Sequence, residues 1–231
     1  MLTIISFTIC PFVQRVTAAL EAKQIPYEIK YISLKEKPQW FLELSPHGQV
    51  PVMVTESGTA LFESDAIIEY IDDEYGALEQ VNNEEKALDR AWSYLASKNY
   101  LPQCGAMSSK DKNTFEERAN KLRKVFEKAE NKLDENYQFF KSDQVSKVDI
   151  AWLPLLHRAH IVKQKTGYDF LCGLPKVQAW QAEMMATGLA NKSVAQDFEA
   201  KFTQFYLTNT YLADGDKVQT TGCTTKSSSC C

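Results

Sequence analysis

Cys10-Pro11-Phe12-Val13-Gln14-Arg15 is the stretch on which the fold turns. Before it, residues 2–7 (Leu-Thr-Ile-Ile-Ser-Phe) make an apolar run of strand length. After it, Val13, Val16, Ala19 and Leu20 fall on one helical face. Pro11 suits the first position of that helix, where a missing N–H costs nothing and its φ is already helical. Cys10 is then the N-cap, held between a strand and a helix. Working outward, Ile25-Pro26 ends the helix, and residues 27–32 alternate as a second strand. A polar loop runs to Pro46, with Trp40, Phe41 and Leu44 marking a short helical turn. Residues 50–54 and 61–62 flank Ser57-Gly58 and predict a hairpin. Ser64 reads as the cap of a helix ending near Tyr75. A helical crossover makes the first two strands parallel, and the hairpin adds an antiparallel part. The expected sheet is mixed and four-stranded.

After Gly76 strand patterns vanish and the chain reads as helix to Tyr211. Phe115, Ala119, Leu122, Phe126, Ala129, Leu133, Tyr137 and Phe140 recur at three- and four-residue spacings, which predicts one long amphipathic helix whose apolar stripe is core. Ser146 and Asp149 have the spacing of a capping box. The helix they open carries Ile150, Trp152, Leu153, Leu155 and Leu156 and should be the buried centre of a bundle, with Pro154 inside it. Pro175 starts a further helix. The expected division is an α/β domain over residues 1–76, an all-α domain over 83–211, and a tail over 213–231. The tail has almost no apolar residues and is expected to be disordered.

The chain has 231 residues, 44% hydrophobic and 24% charged, the balance of a globular protein. A net charge of −4 with no cluster of Lys and Arg argues against a nucleic-acid partner. Residues 150–156, the most apolar stretch, fall far short of the ~20 residues a membrane helix needs. The expectation is a cytoplasmic protein with no membrane partner. Cys10, Cys104 and Cys172 stand singly while Cys223, Cys230 and Cys231 crowd the tail; none has zinc-site spacing, so no metal is expected. A terminal cysteine pair could carry a prenyl group, or chelate a soft metal with Cys223, but an idle tail is the simpler reading. His157 and His160 lie one turn apart without a third ligand and read as an ordinary helix pair.

Chemistry gathers at three places. An N-cap sulfur at Cys10 lies near the free N–H groups of Phe12 and Val13. The helix terminus contributes ~0.3–2 kcal/mol and one pKa unit is ~1.36 kcal/mol, so the thiol should fall from ~8.5 to about 7. Arg15 would lower it further. Val50-Pro51 opens the third strand; a cis bond would turn the Val50 N–H and C=O toward a peptide-like ligand, whereas a trans loop proline is commoner for an isolated pair. Glu63-Ser64 stands at a helix N-terminus, with donors for a carboxylate and an acceptor for an ammonium. Together they describe a receptor for a small zwitterionic thiol peptide.

Cys10-Pro11-Phe12 with Arg15, Lys37-Pro38 with Trp40-Phe41, Ser45-Pro46 before Gly48, Val50-Pro51, and Glu63-Ser64 with Ala66-Ile67 make the sequence resemble the glutathione transferase superfamily, in its omega-like, cysteine-type branch. The likeness runs to about residue 205, and the Ser146–Asp149 box matches one the family uses in its bundle. It implies a thioredoxin-like N-terminal domain and an all-α C-terminal domain. It implies glutathione as co-substrate, with Lys37 on its glycine carboxylate, Val50 and Pro51 on its cysteinyl backbone, and Glu63 and Ser64 on its γ-glutamyl end. Phe12 would stand beside it, and Cys10 would be catalytic. A small hydrophobic or oxidised disulfide substrate would enter between the domains, with Phe12, Trp92, Tyr94 and Met107 as candidate lining, and the protein would be a homodimer. Val13 stands where a second redox cysteine would sit, so a monothiol cycle of thiol transfer, deglutathionylation and dehydroascorbate reduction is expected, with weaker conjugation. The alternatives are a conventional conjugating transferase using Ser6 or Thr8, and a non-enzymatic binding protein of the same fold.

Overall fold

The computed structural model describes residues 1–213; the tail readings, including those on Cys223, Cys230 and Cys231, lie outside them. Strand β1 (Leu2–Ser6) leads into α1 (Pro11–Ala22), β2 (Tyr27–Tyr31) and the short α2 (Gln39–Leu44). The hairpin β3 (Val52–Val54) and β4 (Ala60–Phe62) follows, then α3 (Ser64–Tyr75). The sheet order is β2-β1-β3-β4. β1 and β2 run parallel, with Ile4 opposite Ile29, and β3 is antiparallel to both β1 and β4. This is the expected mixed four-stranded, thioredoxin-like sheet. Strand alternation divides its apolar residues between two faces. Ile4 and Met53 join Val13, Val16, Ile67 and Ile71 in the main core, while Ile5 and Val52 meet Phe41 of α2 on the other face.

The remaining described chain is helical: α4 (Asn83–Ser97), α5 (Tyr100–Met107), α6 (Lys112–Lys132), α7 (Lys147–Thr166), α8 (Pro175–Ala186), α9 (Leu189–Lys192) and α10 (Phe198–Tyr206). The helix expected to reach Phe140 ends at Lys132. Asp134 explains the stop: its carboxylate accepts from the Asn136 N–H at 3.0 Å and the Asn136 side chain at 2.7 Å, offering the backbone a turn instead of another helical bond. Phe140 stays buried in the loop beyond, whereas Tyr137 is exposed. The Ser146–Asp149 capping box forms. α7 is buried nearly all round and is the centre of the helical half.

Two sets of polar contacts seat the halves together. Gln14 of α1 donates to His157 Nδ1 at 2.8 Å, and Thr17 donates to the Ser193 carbonyl at 2.7 Å. At the other end Lys147 bridges Glu69 at 2.6 Å and Asp72 at 2.8 Å, while Asp72 also pairs with Lys23. These contacts fix the face of α7 that reaches Cys10.

Candidate active site

The Cys10 N–H donates to the Phe7 carbonyl at 3.0 Å, closing the turn from β1 and setting the residue at the mouth of α1. Cys10 is the N-cap, and its Sγ lies 3.9 Å from the Val50 carbonyl oxygen. The residue is half-buried, packed with Phe7 and Phe12 against the core. Burial is the largest influence on its thiol and pushes it up to about 11. The Val13 and Phe12 amides and the Arg158 guanidinium pull the other way, and Cys104 adds to the rise. The expected fall to about 7 is therefore corrected: the helix terminus acts with the anticipated sign, but desolvation outweighs it. Arg15 is not the cation involved. It pairs with Asp65 and pins α1 to the start of α3.

The Val50-Pro51 bond is cis. Phe12, Val50, Pro51, Glu63 and Ser64 line one cleft, together with Ser45, His47, Gln49, Phe62 and Leu101. Lys37 is not among the residues lining the cleft; its ammonium lies near Gly48, between His47 and Gln49 of the lining, and the φ of +59° at Gly48 calls for glycine. Ser64 is buried as the first residue of α3, so the cap is Glu63 rather than Ser64. Glu63 holds a φ of +66° without a side-chain cap bond, a conformation that costs a non-glycine residue of order 1–3 kcal/mol and clusters at functional sites. The exposed Glu63 carboxylate and the amides opening α3 thus offer an acceptor and donors at one rim, with the Cys10 sulfur beyond Val50. That arrangement suits an extended zwitterion carrying a thiol.

Arg158 is the charged neighbour of Cys10 that sequence reasoning missed. It is fully buried without a carboxylate, donating to the Gln14 side-chain oxygen at 2.5 Å and to the Ile9 and Pro154 carbonyls at 2.9 and 3.1 Å. Among the described residues its Nε has no hydrogen-bond partner. The available signal was an arginine in a helix otherwise apolar nearly all round. The candidate acceptor lining is also revised. Trp92 packs on Phe140 and Trp152 in the bundle and Met107 is fully buried, while Tyr94 is exposed. Phe12 instead meets Tyr100 edge-on with centroids 5.0 Å apart. Ser6 is buried in β1, and the Thr8 hydroxyl faces Lys201 at 3.3 Å. His157 stacks on Phe198, and burial pulls its pKa down to about 3, so it is neutral. No helix among the described residues is long and apolar enough to cross a membrane.

Residues 9–74 match the glutathione S-transferase N-terminal domain family, and residues 92–187 match the glutathione S-transferase C-terminal domain family. Glutathione S-transferase omega-1 of Mus musculus is 32% identical over 211 residues, 90% of this chain and 85% of that protein. Glutathione S-transferase DHAR2 of Arabidopsis thaliana is 31% identical over 153 residues, 66% of this chain and 68% of that protein. Among solved structures, glutathione transferase Omega 3C from Trametes versicolor has the same fold, with a TM-score of 0.71 at 24% identity over 84% of this chain and 89% of that one. The cysteine at the helix mouth, the cleft beside it and these likenesses converge: the chain belongs to the glutathione S-transferase family, in its omega-like branch.

Proposed function

We propose that this protein is a glutathione-dependent thiol transferase that works through a covalent disulfide on Cys10. The observation that carries the reading is the position of the Cys10 sulfur, 3.9 Å from the carbonyl of Val50, which lines the cleft together with Glu63 and Ser64. Glutathione would lie with its γ-glutamyl end at Glu63 and Ser64, its cysteinyl backbone along Val50 and Pro51, its glycine carboxylate toward Lys37, and Phe12 beside its thiol. The Cys10 thiolate attacks the glutathione sulfur of a mixed disulfide, and the substrate leaves as its own thiolate, which takes up a proton. A second glutathione then attacks the Cys10–glutathione disulfide, releasing glutathione disulfide and restoring Cys10. In dehydroascorbate reduction the Cys10 thiol and a first glutathione give up two electrons and two protons as ascorbate leaves, forming the Cys10–glutathione disulfide, and a second glutathione releases glutathione disulfide and restores Cys10; conjugation is the weaker activity.

Burial holds the free thiol well above its ordinary value, so turnover depends on the stabilisation that Arg158 and the α1 amides give the anion as it forms. The reading assigns glutathione to residues 1–76 and the acceptor's outer wall to residues 83–211, in a cytoplasmic homodimer.

Incubation with glutathione disulfide followed by peptide mass mapping tests the assignment. Glutathione should appear as a disulfide on Cys10, at least transiently, and Cys10→Ser should abolish both the adduct and thiol transfer. A Cys10→Ser variant with full transfer rates would sink the covalent role.

A further inference from the structure

The monothiol expectation rested on Val13 occupying the position of a nearby second cysteine, yet the fold supplies a thiol from a different helix. Cys104 is a free, half-buried cysteine one turn after Tyr100 on α5. Its neighbour Gln103 is fully buried and donates to the Leu155 carbonyl of α7 at 2.9 Å. One turn of α7 further on, Arg158 donates to the carbonyl of Ile9, the residue before Cys10. The neighbours of both cysteines are therefore fastened to the same stretch of α7. The Phe12–Tyr100 ring contact draws the start of α5 against the mouth of α1 from the other side.

The charges beside this stretch of α7 agree with that placement. Cys10 and Cys104 are near enough to influence each other, and the Arg158 guanidinium is within electrostatic reach of both. Among the described residues Arg158 has no carboxylate partner, and its fully buried Nε has no hydrogen-bond partner. A buried cation without a counter-ion favours whichever nearby group becomes an anion. The Tyr206 hydroxyl interacts with the Cys104 thiol and offers it a polar neighbour.

We propose that Cys104 is a second redox thiol of this site and resolves the Cys10–glutathione disulfide from within the protein. The Cys104 thiolate attacks the Cys10 sulfur, the Cys10–glutathione S–S bond breaks, and a Cys10–Cys104 bond forms. Glutathione leaves as its thiolate and takes the proton that Cys104 gave up. One disulfide replaces another, so no further oxidant is needed. Two glutathione molecules restore the dithiol, the first forming a mixed disulfide with one cysteine and the second leaving as glutathione disulfide. The enzyme would then cycle between dithiol and internal disulfide, tying the first helix of one domain to the second helix of the other.

The proposal rests on Cys10 reacting with glutathione disulfide, and the test separates the two. The full-length protein and a Cys104→Ser variant are treated with glutathione disulfide, quenched in acid, blocked with an alkylating agent and digested with trypsin. Cleavage leaves Cys10 in peptide 1–15 and Cys104 in peptide 99–110. The expected result is a disulfide-linked 1–15/99–110 pair without retained glutathione in the parent protein, and one persistent glutathione on peptide 1–15 in Cys104→Ser. If both proteins keep glutathione on Cys10 and no linked pair forms, the resolving role is overturned while the Cys10 reading stands. Absence of both the adduct and the linked pair in both proteins overturns the two together.

Discussion

Arg158 of α7 donates a hydrogen bond of 2.9 Å to the backbone of Ile9, immediately before Cys10 in sequence. The bond spans 149 positions and seats a buried positive charge from the helical half against the helix mouth that carries the thiol. Burial holds that thiol up at about 11. Alkylation of Cys10 by iodoacetamide should therefore climb about tenfold per pH unit from pH 7 to 10 and level off near 11, because only the thiolate reacts. Arg158→Met should slow the reaction at every pH below the plateau and shift the profile to higher pH; Arg158→Lys should recover part of it. A rate already flat above pH 7.5 would mean the sulfur is ionised at rest and burial does not dominate it, and an unchanged profile in Arg158→Met would overturn the Arg158 account.

The parts of this arrangement differ in how far sequence could reveal them. The sheet was legible because strand alternation, the proline at the start of α1 and the Ser57-Gly58 turn are local signals. The Ser146–Asp149 box was legible for the same reason. The end of α6 was missed because the Asp134–Asn136 turn competes with an apolar periodicity that continues to Phe140. The Glu63 cap was missed because its positive φ follows from how β4 hands the chain to α3, which no residue preference announces. Arg158 reaches the backbone beside Cys10 only through packing between the two halves. The thiol's ionisation was misjudged because helix-end polarity can be read from one segment, whereas desolvation depends on every segment that closes over it.

Glu69 tests how firmly those halves are joined at low pH. It accepts from Lys147 at 2.6 Å and from the Arg90 Nε at 3.1 Å, linking α3 to α7 and α4. Burial alone would raise its pKa, but the hydrogen bonds and charges of Arg90 and Lys147 outweigh it and hold it down at about 2. A folded-state pKa below the unfolded one gives stability that is present above ~4.3 and lost as pH falls toward ~2. Glu69→Gln should be less stable than the parent at pH 7, and its stability should fall less steeply between pH 4.3 and 2. Urea unfolding at a series of pH values reads both; parallel pH curves for the two proteins would contradict the linkage.

Asp149 anchors the helical half. Its buried carboxylate accepts from the Ser146 N–H at 2.8 Å, the Phe140 N–H at 2.9 Å and the Trp180 indole N–H at 2.6 Å. Asp149→Ala removes the acceptor of four donors, the Ser146 hydroxyl included, and each unsatisfied group costs ~1–3 kcal/mol, so a loss on the order of 4 kcal/mol and about 10 °C in Tm is expected. Asp149→Asn keeps one carbonyl acceptor and should fall between the two. Calorimetry checks the order; a loss below about 1 kcal/mol for Asp149→Ala would show that water replaces the carboxylate.

Glu63 separates backbone conformation from ligand recognition. Its φ of +66° is costly for glutamate and free for glycine, while its exposed carboxylate faces the cleft rim as an acceptor. Glu63→Gly removes the backbone cost and the acceptor together, so the free protein should gain about 1 kcal/mol while glutathione binding weakens about tenfold. Glu63→Ala removes the acceptor and keeps the cost, so it should weaken binding equally without the gain in stability. Thermal unfolding of the free proteins and calorimetric titration with glutathione measure the two effects apart. If Glu63→Gly binds glutathione as tightly as the parent, the carboxylate does not hold the ammonium, and the residue at this sharp entry to α3 serves the fold alone.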